Sequence, residues 1–264
     1  MTPATRIYRL AAAAIAPLLR TESVRSVYVR RSVAVGEARF PWSDLDLGLI
    51  LDNPTGSELS RVWRRYRIAR AAFPRLGECQ IFAAKELPGL AATDPYRASL
   101  DRRFALTVAG DPPQIPAMPI GPRSAARRLV FWFVHYLPLA VRRGRLRDQN
   151  KVALEMWNAL GVLEGAWPEP LPTRREAASA ASVLGIDAGE YSLQNPFAVC
   201  CKLAARAAER LGLAAPHLSE PAILAGSPPI VLLPSESAAW PAFAMKNAAA
   251  VFTPAALQLT LETH

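Results

Sequence analysis

Cysteine is scarce: three residues in 264, two of them adjacent at Cys200 and Cys201, with no C-x-x-C pair and no neighbouring pair of histidines. That excludes a disulfide framework and zinc-type ligand spacing, and it predicts a reducing, cytoplasmic setting. Histidine is as rare, with three in the chain. His135 sits among Trp132, Phe133 and Tyr136 and reads as a packed core residue, while His217 and His264 have no recognisable partner. Long apolar runs are missing too, since none reaches the ~20 residues that span a bilayer. The segment Leu10–Leu19 after Arg6 has the basic start and small residues of a short leader, but Pro17 interrupts it. The expectation is an amphipathic helix ending near Arg20, with no membrane partner.

What is present is ample core-forming material. Hydrophobic residues make up 51% and charged residues 20%, which excludes disordered and fibrous classes and suffices for one large domain or two small ones. Lys and Arg number 31 against 22 Asp and Glu, a formal net charge of +9. The excess is uneven. Residues 1–110 hold 17 basic and 10 acidic groups, 123–151 hold eight and one, and 152–264 hold six and ten. Affinity for phosphate is therefore expected before about residue 151. With 27 Arg and only 4 Lys, genomic composition is an equal explanation of the total, though less so of the clustering.

Along the chain, a first helix leads to a short strand at Val27–Val29 and a longer one at Asp44–Leu51, expected to pair as a hairpin. Period-2 geometry puts Asp44 and Asp46 on one face and Leu45 and Leu47 on the other. Asp52–Gly56 is a turn, and Ser57 and Glu58 open a helix to about Ala72 bearing Arg61, Arg64, Arg65, Arg67 and Arg70, expected as a solvated face. A third strand, Glu78–Phe82, sets Glu78 and Gln80 opposite Cys79 and Ile81. Residues 111–122 carry five prolines and mark a linker. The expected fold is α+β over 1–110, a small mixed sheet with helices, followed by an all-helical domain over 123–264 with helices near 123–143, 147–165, 174–184, 196–213 and 238–262.

The run from Val27 to Leu47 contains Arg31-Ser32, then Gly36-Glu37-Ala38, then Ser43-Asp44-Leu45-Asp46-Leu47, with Ser32 twelve residues before Asp44. It resembles the signature of the DNA polymerase β-like nucleotidyltransferase superfamily, where a strand leads to Gly-Ser and, about a dozen residues later, to Ser-Asp-x-Asp-Leu. The resemblance covers residues 20–110 and extends to the following helix and acidic third strand. It departs from the pattern at Arg31, where the family has Gly.

The resemblance implies Mg²⁺-dependent transfer of a nucleoside monophosphate from a nucleoside triphosphate, ATP first, to a hydroxyl. Independently of it, paired carboxylates suit such chemistry: developing negative charge on the phosphate is met by divalent ions about 4 Å apart, and hard oxygen ligands suit Mg²⁺. Asp44 and Asp46 are the expected metal ligands of a two-metal site, and Glu78 the group that deprotonates or orients the acceptor hydroxyl. Arg31, Ser32 and Ser43 are the expected nucleotide-binding residues, Ser32 by its place in the motif. Arg31 either clamps phosphate or blocks it, and the second alternative makes the protein a catalytically lapsed nucleotide-sensing or interaction module. A small-molecule acceptor comes first, a protein hydroxyl (AMPylation) second and a nucleic-acid end third. The basic segment Arg142–Lys151 lacks interleaved aromatics, and no RNA- or DNA-binding motif occurs, which argues against a polynucleotide partner. A homodimer stays open.

Overall fold

In a computed structural model, residues 2–184 and 194–211 are described, together with the strand pieces 217–218 and 250–251. The chain divides into two units, Met1–Pro119 and Ile120–His264, and the division falls inside the proline-rich segment.

The first unit is built on a four-stranded mixed sheet of order β3-β2-β1-β4. Its elements are α1 (Pro3–Leu19), β1 (Val24–Val29), α2 (Arg31–Ala34), β2 (Leu45–Leu51), α3 (Gly56–Ala72), β3 (Leu76–Ala83), α4 (Leu87–Thr93), α5 (Pro95–Phe104) and β4 (Leu106–Gly110). β1 pairs antiparallel with β2 and with β4, and β2 pairs parallel with β3. The parallel pair requires a crossover, which α3 supplies. A capping box starts α3: Thr55 accepts from the Glu58 N–H, and Glu58 accepts from the Thr55 N–H.

Alternation sorts the sheet faces. Leu45, Leu47, Leu49 and Leu51 point into a core closed by Tyr8, Ala12 and Ile15 of α1 and by Val62, Tyr66 and Ala69 of α3. Each of those leucines is fully buried, worth about 1.5–3 kcal/mol. The opposite face gathers Tyr28, Ile50 and Leu87. There Tyr28 lies across Gly48, its partner in the β1–β2 register, and a Cβ at that glycine would fall 2.2 Å from the ring. β4, which the sequence reading did not anticipate, covers the free edge of β1.

In the second unit the described helices are α6 (Pro122–Phe131), α7 (Leu137–Arg142), α8 (Leu146–Leu163), α9 (Arg174–Ser179) and α10 (Pro196–Arg210). The expected helix at 123–143 is interrupted at Trp132–Tyr136, where the turns widen to π geometry around the aromatic cluster. α8 packs on α6 and α10 through residues such as Ala153, Met156, Leu160 and Leu203. Buried Asn158 ties α8 to the next segment: its side chain accepts from the Trp167 indole N–H at 3.2 Å and the Leu171 N–H at 3.0 Å, and donates to the Leu171 carbonyl at 2.9 Å. Trp167 in turn lies over Gly161, where a Cβ would meet the ring at 1.8 Å. The helix expected at 238–262 lies outside the described residues except for Ala250 and Val251, which pair as a strand, β6, with β5 (His217–Leu218). Among the described residues no helix is long and apolar enough to cross a membrane.

Candidate functional site

The sheet topology places three chain segments at one end. The antiparallel register Val29↔Leu47 and the parallel register Leu45↔Leu76 bring together the end of β1, the start of β2 and the start of β3. These carry Arg30 and Arg31, Asp44 and Asp46, and Glu78. The Arg30 N–H donates to the Asp46 carbonyl at 2.9 Å, continuing the β1–β2 ladder past Val29.

The loop before β2 is tied down on all sides. Trp42 and Ser43 N–H groups donate to the Arg39 carbonyl at 2.7 and 2.8 Å, and the Arg39 N–H donates to the Ser43 hydroxyl at 2.9 Å. The Tyr8 hydroxyl of α1 donates to the Ser43 carbonyl. Leu45 N–H donates to the Arg75 carbonyl at 2.8 Å, and the Tyr66 hydroxyl to the Gly77 carbonyl. Ser43, expected at the nucleotide, thus spends its polar atoms on the loop that positions Asp44. Ser32 is half-buried in α2, where its carbonyl accepts from the Glu37 N–H at 2.8 Å.

Asp44 and Asp46 lie beside each other over Gly77, whose missing side chain makes the room. A Cβ there would fall 2.5 Å from Asp46 Oδ1 and 2.8 Å from Asp44 Cβ. Their environments differ. The Asp44 side chain is 63% exposed with Arg75 4.0 Å away, whereas that of Asp46 is 14% exposed and accepts the Glu78 N–H at 2.8 Å. Burial raises the Asp46 carboxyl above its usual range, against the opposing pull of Arg31 and of the Glu78 N–H.

Arg31 stands between the carboxylates. Its guanidinium is 2.5 Å from Glu78 Oε2 and 3.8 Å from Asp46 Oδ2. Glu78 also takes Arg97 of α5 at 3.2 Å and the Gln80 amide. Burial pushes the Glu78 carboxyl up, but Arg31, then Arg97 and Gln80, outweigh it and hold it below the usual carboxylate range. Arg97 is itself pushed down to about 10, by burial and by the neighbouring Arg30 and Arg31. Behind it Arg30, 1% exposed, pairs with Asp101, one helical turn after Arg97 on α5.

Sequence reasoning placed Asp44, Asp46, Glu78, Arg31 and Ser32 in this region but missed Arg97, Arg75 and the Arg30–Asp101 pair. The Arg97-x-x-x-Asp101 spacing was the available signal, since residues four apart on a helix face the same way.

Neither protein-family models nor curated proteins give a match to the chain. The donor set is one of hard oxygens, the type that holds Mg²⁺. Its arrangement does not fit a divalent ion: among the described residues no three acidic, histidine or cysteine side chains converge on a metal position, and Arg31 has the place between Asp46 and Glu78.

The expected solvated face on α3 is present, with Arg61, Arg64, Arg67 and Arg70 exposed beside Trp63 and Arg65 half-buried. Arg142–Arg147 form an exposed bend between α7 and α8. The side chain of His135 lies outside those described.

Proposed function

We propose that the first unit is a nucleotidyltransferase-like module that takes a nucleoside triphosphate, ATP first, at this sheet end and passes its nucleoside monophosphate to a hydroxyl of a small-molecule acceptor, the hydroxyl oxygen displacing pyrophosphate from the α-phosphorus. The observation that carries the reading is convergence. A short helix after β1, the aspartate pair opening β2 and the glutamate of β3 meet at one end of a mixed sheet, the order in which the sequence signature lists them.

The chain's own groups divide the work. The guanidiniums of Arg31 and Arg97 and the hydroxyl of Ser32 are the phosphate partners, charge-assisted in the first two cases. Trp42, 64% exposed and two residues before Asp44, offers a flat apolar surface to a base or acceptor ring. Glu78, held ionised, is the group positioned to accept a proton from the acceptor hydroxyl once phosphate draws Arg31 away. Mg²⁺ belongs to this reading as an ion that enters with the triphosphate.

A second reading is favoured by one specific observation, the Arg31 ion pairs. A guanidinium fixed on Asp46 and Glu78 suits a lapsed enzyme that senses nucleotide or serves as an interaction module. Melting of the wild type and of an Asp44→Ala/Asp46→Ala variant, with each of the four nucleoside triphosphates and with or without Mg²⁺, separates the readings. A ligand present at 100 times its Kd stabilises by about 2.7 kcal/mol. A shift that needs both the aspartates and Mg²⁺ supports transfer. One that is indifferent to both supports sensing, and no shift with any nucleotide makes Arg31 a block and leaves the lapsed enzyme as an interaction module.

A further inference from the structure

At the carboxylate end of the sheet the charges already cancel. Asp46, Glu78 and Asp101 face the guanidiniums of Arg31, Arg97 and Arg30, three against three, and Asp44 has Arg75 nearby. A doubly charged ion added to that set would leave it with a surplus of two and would meet Arg31 where it has to bind. Coulomb repulsion between groups a few ångströms apart at the edge of a protein is on the order of kilocalories per mole.

The backbone at Arg31 is unusual in the same sense. Its φ is +54°, in the left-handed region, because the chain turns sharply out of β1 into α2. For a residue with a side chain this conformation costs roughly 1–2 kcal/mol relative to the right-handed form, and glycine escapes that cost. An arginine held there directs its guanidinium back over the strand ends onto Asp46 and Glu78. Strained non-glycine backbone of this kind points to a role for the side chain that occupies it.

We propose that Arg31 is the resident cation of the Asp46–Glu78 pair: a covalently tethered positive charge that does there the work of a divalent ion, so that the protein without nucleotide takes up no such ion at this site. The inference deepens the nucleotide-binding reading and rests on it for the site's purpose. Phosphate, as a competing anion for Arg31, is then what frees the carboxylates, so nucleotide precedes metal in any ordered assembly of the site.

The test uses Mn²⁺ alone as the probe, with no nucleotide, and follows loss of the free-ion paramagnetic resonance signal on the full-length chain. Wild type, Arg31→Gly, Arg31→Gln, Asp46→Asn and the double variant Arg31→Gly/Asp46→Asn are compared, each first checked for a cooperative melt. Wild type is expected to leave the signal intact. Arg31→Gly and Arg31→Gln are expected to bind Mn²⁺ at least about tenfold more tightly, and the double variant to lose that gain. Arg31→Gln keeps a long polar side chain, so it serves where the glycine variant alters the turn. Mn²⁺ binding by the wild type that disappears with Asp46→Asn overturns the proposal. So does failure of both charge-removing variants to bind Mn²⁺, because the guanidinium is then not what keeps the ion out. Either failure leaves the nucleotide melting result untouched, and absence of a nucleotide shift leaves the Mn²⁺ comparison standing.

Discussion

Replacing Asp101 by Asn removes the ionic partner of a guanidinium that is almost wholly out of water. Arg30 and Asp101 are 1% and 6% exposed, and the Arg30 Nε and Nη1 groups find no other acceptor. Breaking a buried pair from one side leaves an uncompensated charge, which costs about 3–5 kcal/mol. For a unit of the size of Met1–Pro119, with about 3–5 °C of melting shift per kcal/mol, the expected fall in Tm is about 9–25 °C. Calorimetry on the full chain, with hydrogen exchange at the β1 amides to assign the transition, reads it directly. The companion variant Arg30→Met/Asp101→Leu replaces both charges by apolar volume, and such exchanges are often neutral or stabilising by about 1–4 kcal/mol. It should therefore recover most of the loss. A cost under about 1 kcal/mol for Asp101→Asn, the level of an exposed pair, or a double variant as unstable as the single one would refute a buried, unshared ion pair.

Other expectations concern the same edge and the second unit. Gly77→Ala puts a methyl group against Asp46 Oδ1 and Asp44 Cβ, so a loss of about 1–3 kcal/mol by urea titration is expected together with loss of any nucleotide-induced shift. Asp46, raised by burial, favours the folded state most when protonated: that contribution is complete below its unfolded value of 3.8 and is lost as pH rises through the higher folded value. Asp46→Asn should then be more stable than wild type at pH 7, with the advantage shrinking on acidification; equal stability at both pH values would contradict this. Glu78 has the opposite sign, its contribution being present above 4.5 and lost as pH falls through its lowered folded value, so Glu78→Gln should flatten the acid limb of a stability profile. In the second unit, Asn158→Ala strips the Leu171 N–H of its acceptor and the Leu171 carbonyl of its donor, an expected loss of about 2–4 kcal/mol in a thermal melt.

Much of the first unit is written locally. Alternation in Leu45–Leu51 fixes which side chains of β2 share the core under α1 and α3, and the Thr55–Glu58 box fixes where α3 begins, because each depends only on near neighbours. Residues 44, 46 and 78 could be singled out for the same reason: spacing on a strand determines the face without knowledge of the partner strand. The short strand β4 escaped notice because four half-buried residues followed by an exposed glycine carry little pattern, and only pairing with β1 makes them a strand. The widened turn at Trp132–Tyr136 was equally illegible, since local periodicity there reads as plain helix.

What the sequence by itself determined is the inventory at the sheet end: two aspartates in alternation, a glutamate on a later strand, and an arginine where the resembled family has glycine. Tertiary structure alone decided how those charges are shared. Register brings residues from 30 to 101 within a few ångströms, and at that range Coulomb energy depends on which guanidinium reaches which carboxylate. Arg97 on Glu78, Asp101 on Arg30 and Arg31 across Asp46 and Glu78 are contacts between segments far apart in the chain, so no local pattern contains them.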